Sequence, residues 1–157
     1  MPGVEGRLAA AAGAKSGSRR LRVAAALCWF DGLAFGLPAV PVAVFLAREG
    51  RLPVFLDLFP MYSGPFEAWG RSVFTVLLVL SAVTCAAEVV AGWLLWQRRR
   101  MGAVLALALV PVTAIFWVGF ALPLPPLAAV IRTALVLSGW HGLEKARGSL
   151  HDNSIGA

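Results

Sequence analysis

The sequence predicts an all-α protein, a four-transmembrane-helix bundle that runs antiparallel, up and down, with a short interfacial helix between helices 1 and 2. Three observations predict it. The 157 residues are 59% hydrophobic and 14% charged, with a mean hydropathy of +0.79, whereas soluble domains are nearer half apolar and a quarter charged. The apolar residues come as long uninterrupted runs, the mark of membrane-crossing helices. At about 20 residues per crossing, the chain has room for about four crossings and for no soluble domain of useful size.

Residues 1–22 are rich in Ala, Gly, Ser and Arg and show no strong apolar face, which predicts a flexible basic tail. The apolar run after them is too long for the core of a signal peptide and has no A-x-A site behind it, so it is expected to remain as a helix. Helix 1 spans 23–47. Gly32 and Gly36 form a small-xxx-small pair that permits close helix approach, and Pro38 and Pro41 each remove a backbone donor and predict a kink.

Residues 48–71 form the one long connection. Leu52, Phe55, Leu56 and Phe59 recur at helical spacing, Pro53 suits a first turn and Pro60 a stop, so the expectation is a short amphipathic helix at the interface with Asp57 facing water. Trp69 is placed for the headgroup level. This connection reads equally as an ordered loop or as a lid over a cavity. Helix 2 spans 72–96, a short turn follows, and helix 3 spans 103–122. Pro123, Pro125 and Pro126 tighten the next connection, so helices 3 and 4 (124–142) form an antiparallel hairpin. The tail 143–157 is polar.

Net charge is +6. In a soluble protein this would suggest nucleic acid, but here the positives flank apolar runs, so the expected partner is the lipid bilayer and not nucleic acid. Arg19, Arg20, Arg22, Arg98, Arg99 and Arg100 are the strongest topology anchors. With Arg7, Lys15, Lys145 and Arg147 they share one side of the membrane, against Arg48, Arg51 and Arg71 on the other. That asymmetry predicts both termini in the cytoplasm. The richness in Ala, Gly, Arg, Val and Leu resembles coding at high GC, which suggests the plasma (inner) membrane of a bacterium.

Three ionisable residues fall inside apolar runs: Asp31, Glu88 and Arg132. Counted from the cytoplasmic ends of their helices they lie about 12–13 Å deep, at 1.5 Å per residue, which places them in one layer. Thr113 of helix 3 lies about one turn further out. On helix 2, Ser81, Thr84, Cys85, Glu88, Ala91 and Gly92 form one small and polar stripe, which turns toward other helices in lipid. A charge at a helix centre costs about 2.5–3.5 kcal/mol on insertion scales, and Arg132 stays protonated and needs a carboxylate or water. Two carboxylates around one guanidinium leave one formal negative charge, or one proton, to account for.

Two readings of this layer stay open. In one, Arg132 and Glu88 form a buried pair that fixes helix register, with Asp31 hydrogen-bonded nearby. In the other, the extra carboxylate faces a cavity and binds a cation, an amine or a proton, with Trp29 and Trp93 lining the pocket. A third register lets Asp31 snorkel to the cytoplasmic face. Cys28 and Cys85 read as small core residues. No metal site, cofactor or nucleophile–base–orienter set is expected.

The plan is similar to that of small four-helix membrane proteins of bacteria. Asp31 and Glu88 on the first two helices, and the run Asp57-Leu58-Phe59-Pro60 in the long connection, also resemble the EXPERA group, the emopamil-binding and related sterol-handling proteins. That resemblance implies cytoplasmic termini, acids facing a ligand cavity, an apolar or cationic amphiphilic ligand and isomerase-like chemistry. Arg132 departs from it, since it would neutralise one acid, and so does the lack of a histidine near the cavity. Three functions follow as expectations. The first is binding or transport of a lipid-like or cationic small molecule at the Asp31/Glu88/Arg132 layer. The second is an accessory subunit whose charges only pair helices, within a homo-oligomer or beside a partner membrane protein. The third is a lipid-modifying membrane enzyme.

Overall fold

A computed structural model gives the fold. It describes the backbone of residues 4–55 and 59–155, and side-chain surroundings for 17–54 and 61–140. Four long helices make up almost all of it: α1 (Val4–Glu49), α2 (Arg71–Trp96), α3 (Arg100–Gly119) and α4 (Pro125–Ile155). By length and composition, three of them are able to cross a membrane, over Gly17–Glu49, Arg71–Trp96 and Arg100–Gly119, and Pro125–Trp140 is a shorter apolar stretch. The surfaces of these spans carry large apolar side chains, among them Leu37, Val76, Val83, Val118 and Val130.

Two expectations change. The chain is already helical from Val4, where a flexible tail was expected; Ala9–Ala12 and Ala14 supply the strongest helix formers and carry the helix back from the apolar run. The described residues 52–55 and 59–60 of the connection are not helical. Instead β1 (Val54–Phe55) pairs antiparallel with β2 (Phe59–Pro60), and the Met61 amide donates to the Pro53 carbonyl at 2.9 Å. A helix of one or two turns is marginal by itself, and Pro53 and Pro60 bracket the segment so that a short ladder satisfies its backbone at lower cost. The helical piece of the connection lies later, as a 3-10 helix at Pro65–Trp69. Asp57 falls outside the described residues.

The helices pack around a ring. α1 lies between α2 and α4, α2 lies between α1 and α3, and the α3–α4 seam is the sparsest of the four. Helices α1 and α2 run antiparallel and close. A Cβ on Gly32 would meet the Cys85 carbonyl at 2.6 Å, one on Gly36 would meet the Cys85 Cβ at 2.8 Å, and one on Gly92 would meet the Ala25 carbonyl at 2.9 Å. The small-xxx-small pair of α1 therefore does what its spacing predicts. The helices α2 and α3 end alike, on a residue with a left-handed backbone that is not glycine, Arg98 (φ 56) and Ala121 (φ 49). The next amide then reaches back over a full turn, Arg99 to the Leu94 carbonyl at 2.9 Å and Leu122 to that of Trp117 at 2.8 Å. These are Schellman closures, which satisfy carbonyls the helix ends would leave open.

Two cores result. Toward the end of the bundle that carries the chain termini, Leu21, Ala24, Ala25, Cys28, Ala91, Leu95, Ala103, Ala106 and Val136 draw all four helices together. Toward the end that carries the long connection, Ala39, Val42, Leu46, Phe74, Leu78 and Phe120 pack with Tyr62 and Phe66 of the connection. The charged residues lie between these two cores.

Candidate functional site

Asp31 on α1, Glu88 on α2 and Arg132 on α4 meet in one layer, as their depths predict. Arg132 is 1% exposed, and Asp31 and Glu88 are each 3% exposed. The Arg132 Nη1 donates to Glu88 Oε1 at 2.8 Å and lies 3.7 Å from the Cys28 Sγ. The same nitrogen is 3.9 Å from Asp31 Oδ2, beyond hydrogen-bond range. Neither Asp31 oxygen has a hydrogen-bond partner among the described residues, and the same holds for Arg132 Nε and Nη2. The guanidinium is thus committed to Glu88, while Asp31 is close enough to feel its charge but does not share its protons.

The small stripe on α2 explains why this layer forms. Gly92 and the Gly32–Gly36 pair bring the α1 and α2 backbones close enough for Asp31 and Glu88 to occupy one level. On the far side, Gly139 of α4 meets the Leu21 side chain of α1, where an added Cβ would come within 3.1 Å, and this close crossing carries Arg132 inward.

Asp31 and Glu88 line a cavity that continues from the charged layer toward the connection. Its walls are Phe35 of α1, Ser81, Thr84 and Cys85 of α2, Thr113, Phe116, Trp117 and Phe120 of α3, then Tyr62, Leu122 and Pro125. The interior space is about 30 Å³, room for about two water molecules at 10–15 Å³ of such space each. Thr113 lines it as expected. Trp29 and Trp93 do not: Trp29 donates its indole N–H to the Val89 carbonyl at 3.2 Å and stacks on Trp96 at 5.5 Å, while Trp93 is 56% exposed. Both lie on the termini side of the acids, and Arg22 sits 5.3 Å above the Trp96 ring. Trp29 thus packs against α2 below the site, Trp93 faces outward, and the lining is left to other rings.

The residues that do roof the site were not among those picked out from the sequence. Tyr62, the sole tyrosine, is buried with a left-handed backbone (φ 58). Its hydroxyl donates to the Phe35 carbonyl, three and six residues before Pro38 and Pro41 interrupt the α1 ladder. Burial lifts the phenol above its ordinary range, so it stays a donor. Phe120 sits edge to face with three rings, Phe66 at 5.2 Å, Phe74 at 5.4 Å and Tyr62 at 5.6 Å. The single occurrence of tyrosine and the place of Phe120 just past the end of α3 are the only sequence signals they carry.

No known protein family, curated protein or solved structure matches this chain. The reading of the site therefore rests on its own geometry.

Proposed function

We propose that this is a multi-pass membrane protein whose four helices cross the bilayer up and down with both termini in the cytoplasm, and that it binds or transports a cationic or lipid-like small molecule at Asp31. The observation that carries this reading is the division of labour in the charged layer. Arg132 is spent on Glu88, and a second carboxylate, buried and without a hydrogen-bond partner among the described residues, borders a cavity. A buried carboxylate with no partner is costly, and a ligand bearing positive charge or N–H donors offsets that cost. The positive residues clustered at 19–22 and 98–100, against Arg48, Arg51 and Arg71 at the other end, support the orientation.

Purification of the wild-type protein and of Asp31→Asn in mild detergent, read by native mass spectrometry, tests this. A bound small molecule is expected on the wild type and lost from Asp31→Asn, with helix content unchanged; equal retention on both would sink the proposal. A reporter enzyme active only outside the cytoplasm, fused after Ala157, is expected to be silent.

The 2.8 Å contact between Arg132 and Glu88 favours a second reading, in which the layer serves only to hold α2 against α4. On that reading Asp31→Asn is neutral in every binding assay, and only Glu88 and Arg132 variants have an effect.

A further inference from the structure

The bound species can be narrowed from the hydrogen-bond directions in the cavity wall. A hydroxyl has one proton to give and lone pairs to accept with. Ser81 gives its proton to the Leu78 carbonyl at 2.8 Å and Thr84 to the Leu80 carbonyl at 2.9 Å. Thr113 lies 3.1 Å from both the Leu109 and the Val110 carbonyl, and Tyr62 donates to that of Phe35. Every hydroxyl in the wall has turned its proton into a helix backbone. What these groups present to the cavity is acceptor oxygen, and Asp31 adds two more acceptor atoms and a charge. A ligand with acceptors of its own would find no hydroxyl proton to meet them.

Size narrows the class again. The interior space beside the acids holds about two water-sized occupants, which fits a small headgroup. On the termini side, Cys28, Ala24, Ala91 and Ala106 are at most 1% exposed and close the path. Among the described residues there is no group of three or more His, Cys, Asp or Glu side chains able to hold a metal ion. We infer that the occupant is a small hydrophilic ammonium, of the size of ammonium or methylammonium, held by its N–H donors at Asp31, in a cavity whose wall hydroxyls offer acceptor oxygens. This rests on the proposal that Asp31 is a ligand site and sets the ligand's size and donor character.

Equilibrium dialysis of radiolabelled methylammonium against the full-length protein in lipid nanodiscs tests it. The wild type is expected to bind one equivalent saturably, and Asp31→Asn to bind at least tenfold more weakly with the fold intact. Ammonium is expected to displace the label, and tetramethylammonium, which carries the charge without an N–H, is expected not to. Displacement by tetramethylammonium, or by sodium or potassium at equal concentration, overturns the donor requirement. If octadecylamine binds in an Asp31-dependent way and methylammonium does not, the size class is wrong and the Asp31 site survives. If no amine binds, or Asp31→Asn binds as the wild type does, both readings fall.

Discussion

The two ends of the bundle are built from different materials. At the termini end the core is five alanines, one cysteine, two leucines and one valine, and all four helices contribute to it. At the connection end half of the core residues are aromatic, and no α4 residue belongs to it. In a membrane there is little hydrophobic gain in helix contact, so helices associate through close packing and polar contacts. Small residues let backbones touch and leave no space. Aromatic rings meet edge to face and hold the helices further apart. The cavity opens on the aromatic side of the charged layer, and the difference teaches why: a pocket in a bundle this small needs one end that packs too tightly to collapse and one that packs too broadly to close.

The largest expected effect comes from the layer the two ends share. Arg132→Met leaves Glu88 buried without its partner and should cost about 3–5 kcal/mol, read as loss of the folded state in a detergent-denaturation series; exchanging Glu88 and Arg132 should recover part of it. Next is the aromatic end, where Phe120→Ala removes the ring that four others meet and should cost about 3 kcal/mol or more, with the cavity enlarged. At the tight end, Gly92→Ala forces a methyl to within 2.9 Å of the Ala25 carbonyl and should cost about 1–3 kcal/mol. If Gly92→Ala were neutral, the helices would have slack there and the contrast between the two ends would fail. Smallest is Tyr62→Phe, which deletes one hydroxyl bond to the Phe35 carbonyl and should cost about 1 kcal/mol, read as a shift in thermal midpoint.

The helices and the charged layer were legible in the sequence, because both depend on counting. Apolar runs of fixed length must cross in a fixed number of residues, and a charge at a known distance from the end of its run lies at a known depth. Asp31, Glu88, Thr113 and Arg132 were found in that way. The stripe on α2 was legible because a 3.6-residue repeat assigns a face. Trp29 and Trp93 show the limit of that logic, since depth alone says nothing of rotation: one turned into the α1–α2 contact and the other away from the bundle. Leu52, Phe55, Leu56 and Phe59 have a helical period, yet Val54–Phe55 and Phe59–Pro60 pair as strands, because a period in eight residues is too short to outweigh two flanking prolines. Tyr62 and Phe120 carried no periodic signal at all; their roles depend on where a connection folds back, which is a tertiary fact.

If the four helices cross the bilayer as proposed, the ion pair between α2 and α4 has a consequence for how the chain is made. The apolar part of α4, Pro125–Trp140, spans only about 24 Å at 1.5 Å per residue, short of the roughly 30 Å of a bilayer core, and it carries Arg132 within it. Alone at the insertion machinery it is a poor substrate. Beside α2 it is not, since Glu88 waits at the same depth with no other cation to meet it among the described residues. On the proposed topology, synthesis leaves Glu88 without its partner until α4 arrives, and makes the entry of α4 depend on that partner. A chain cut short before Pro125 would leave an unpaired carboxyl group among the membrane helices, a signal for quality-control proteases.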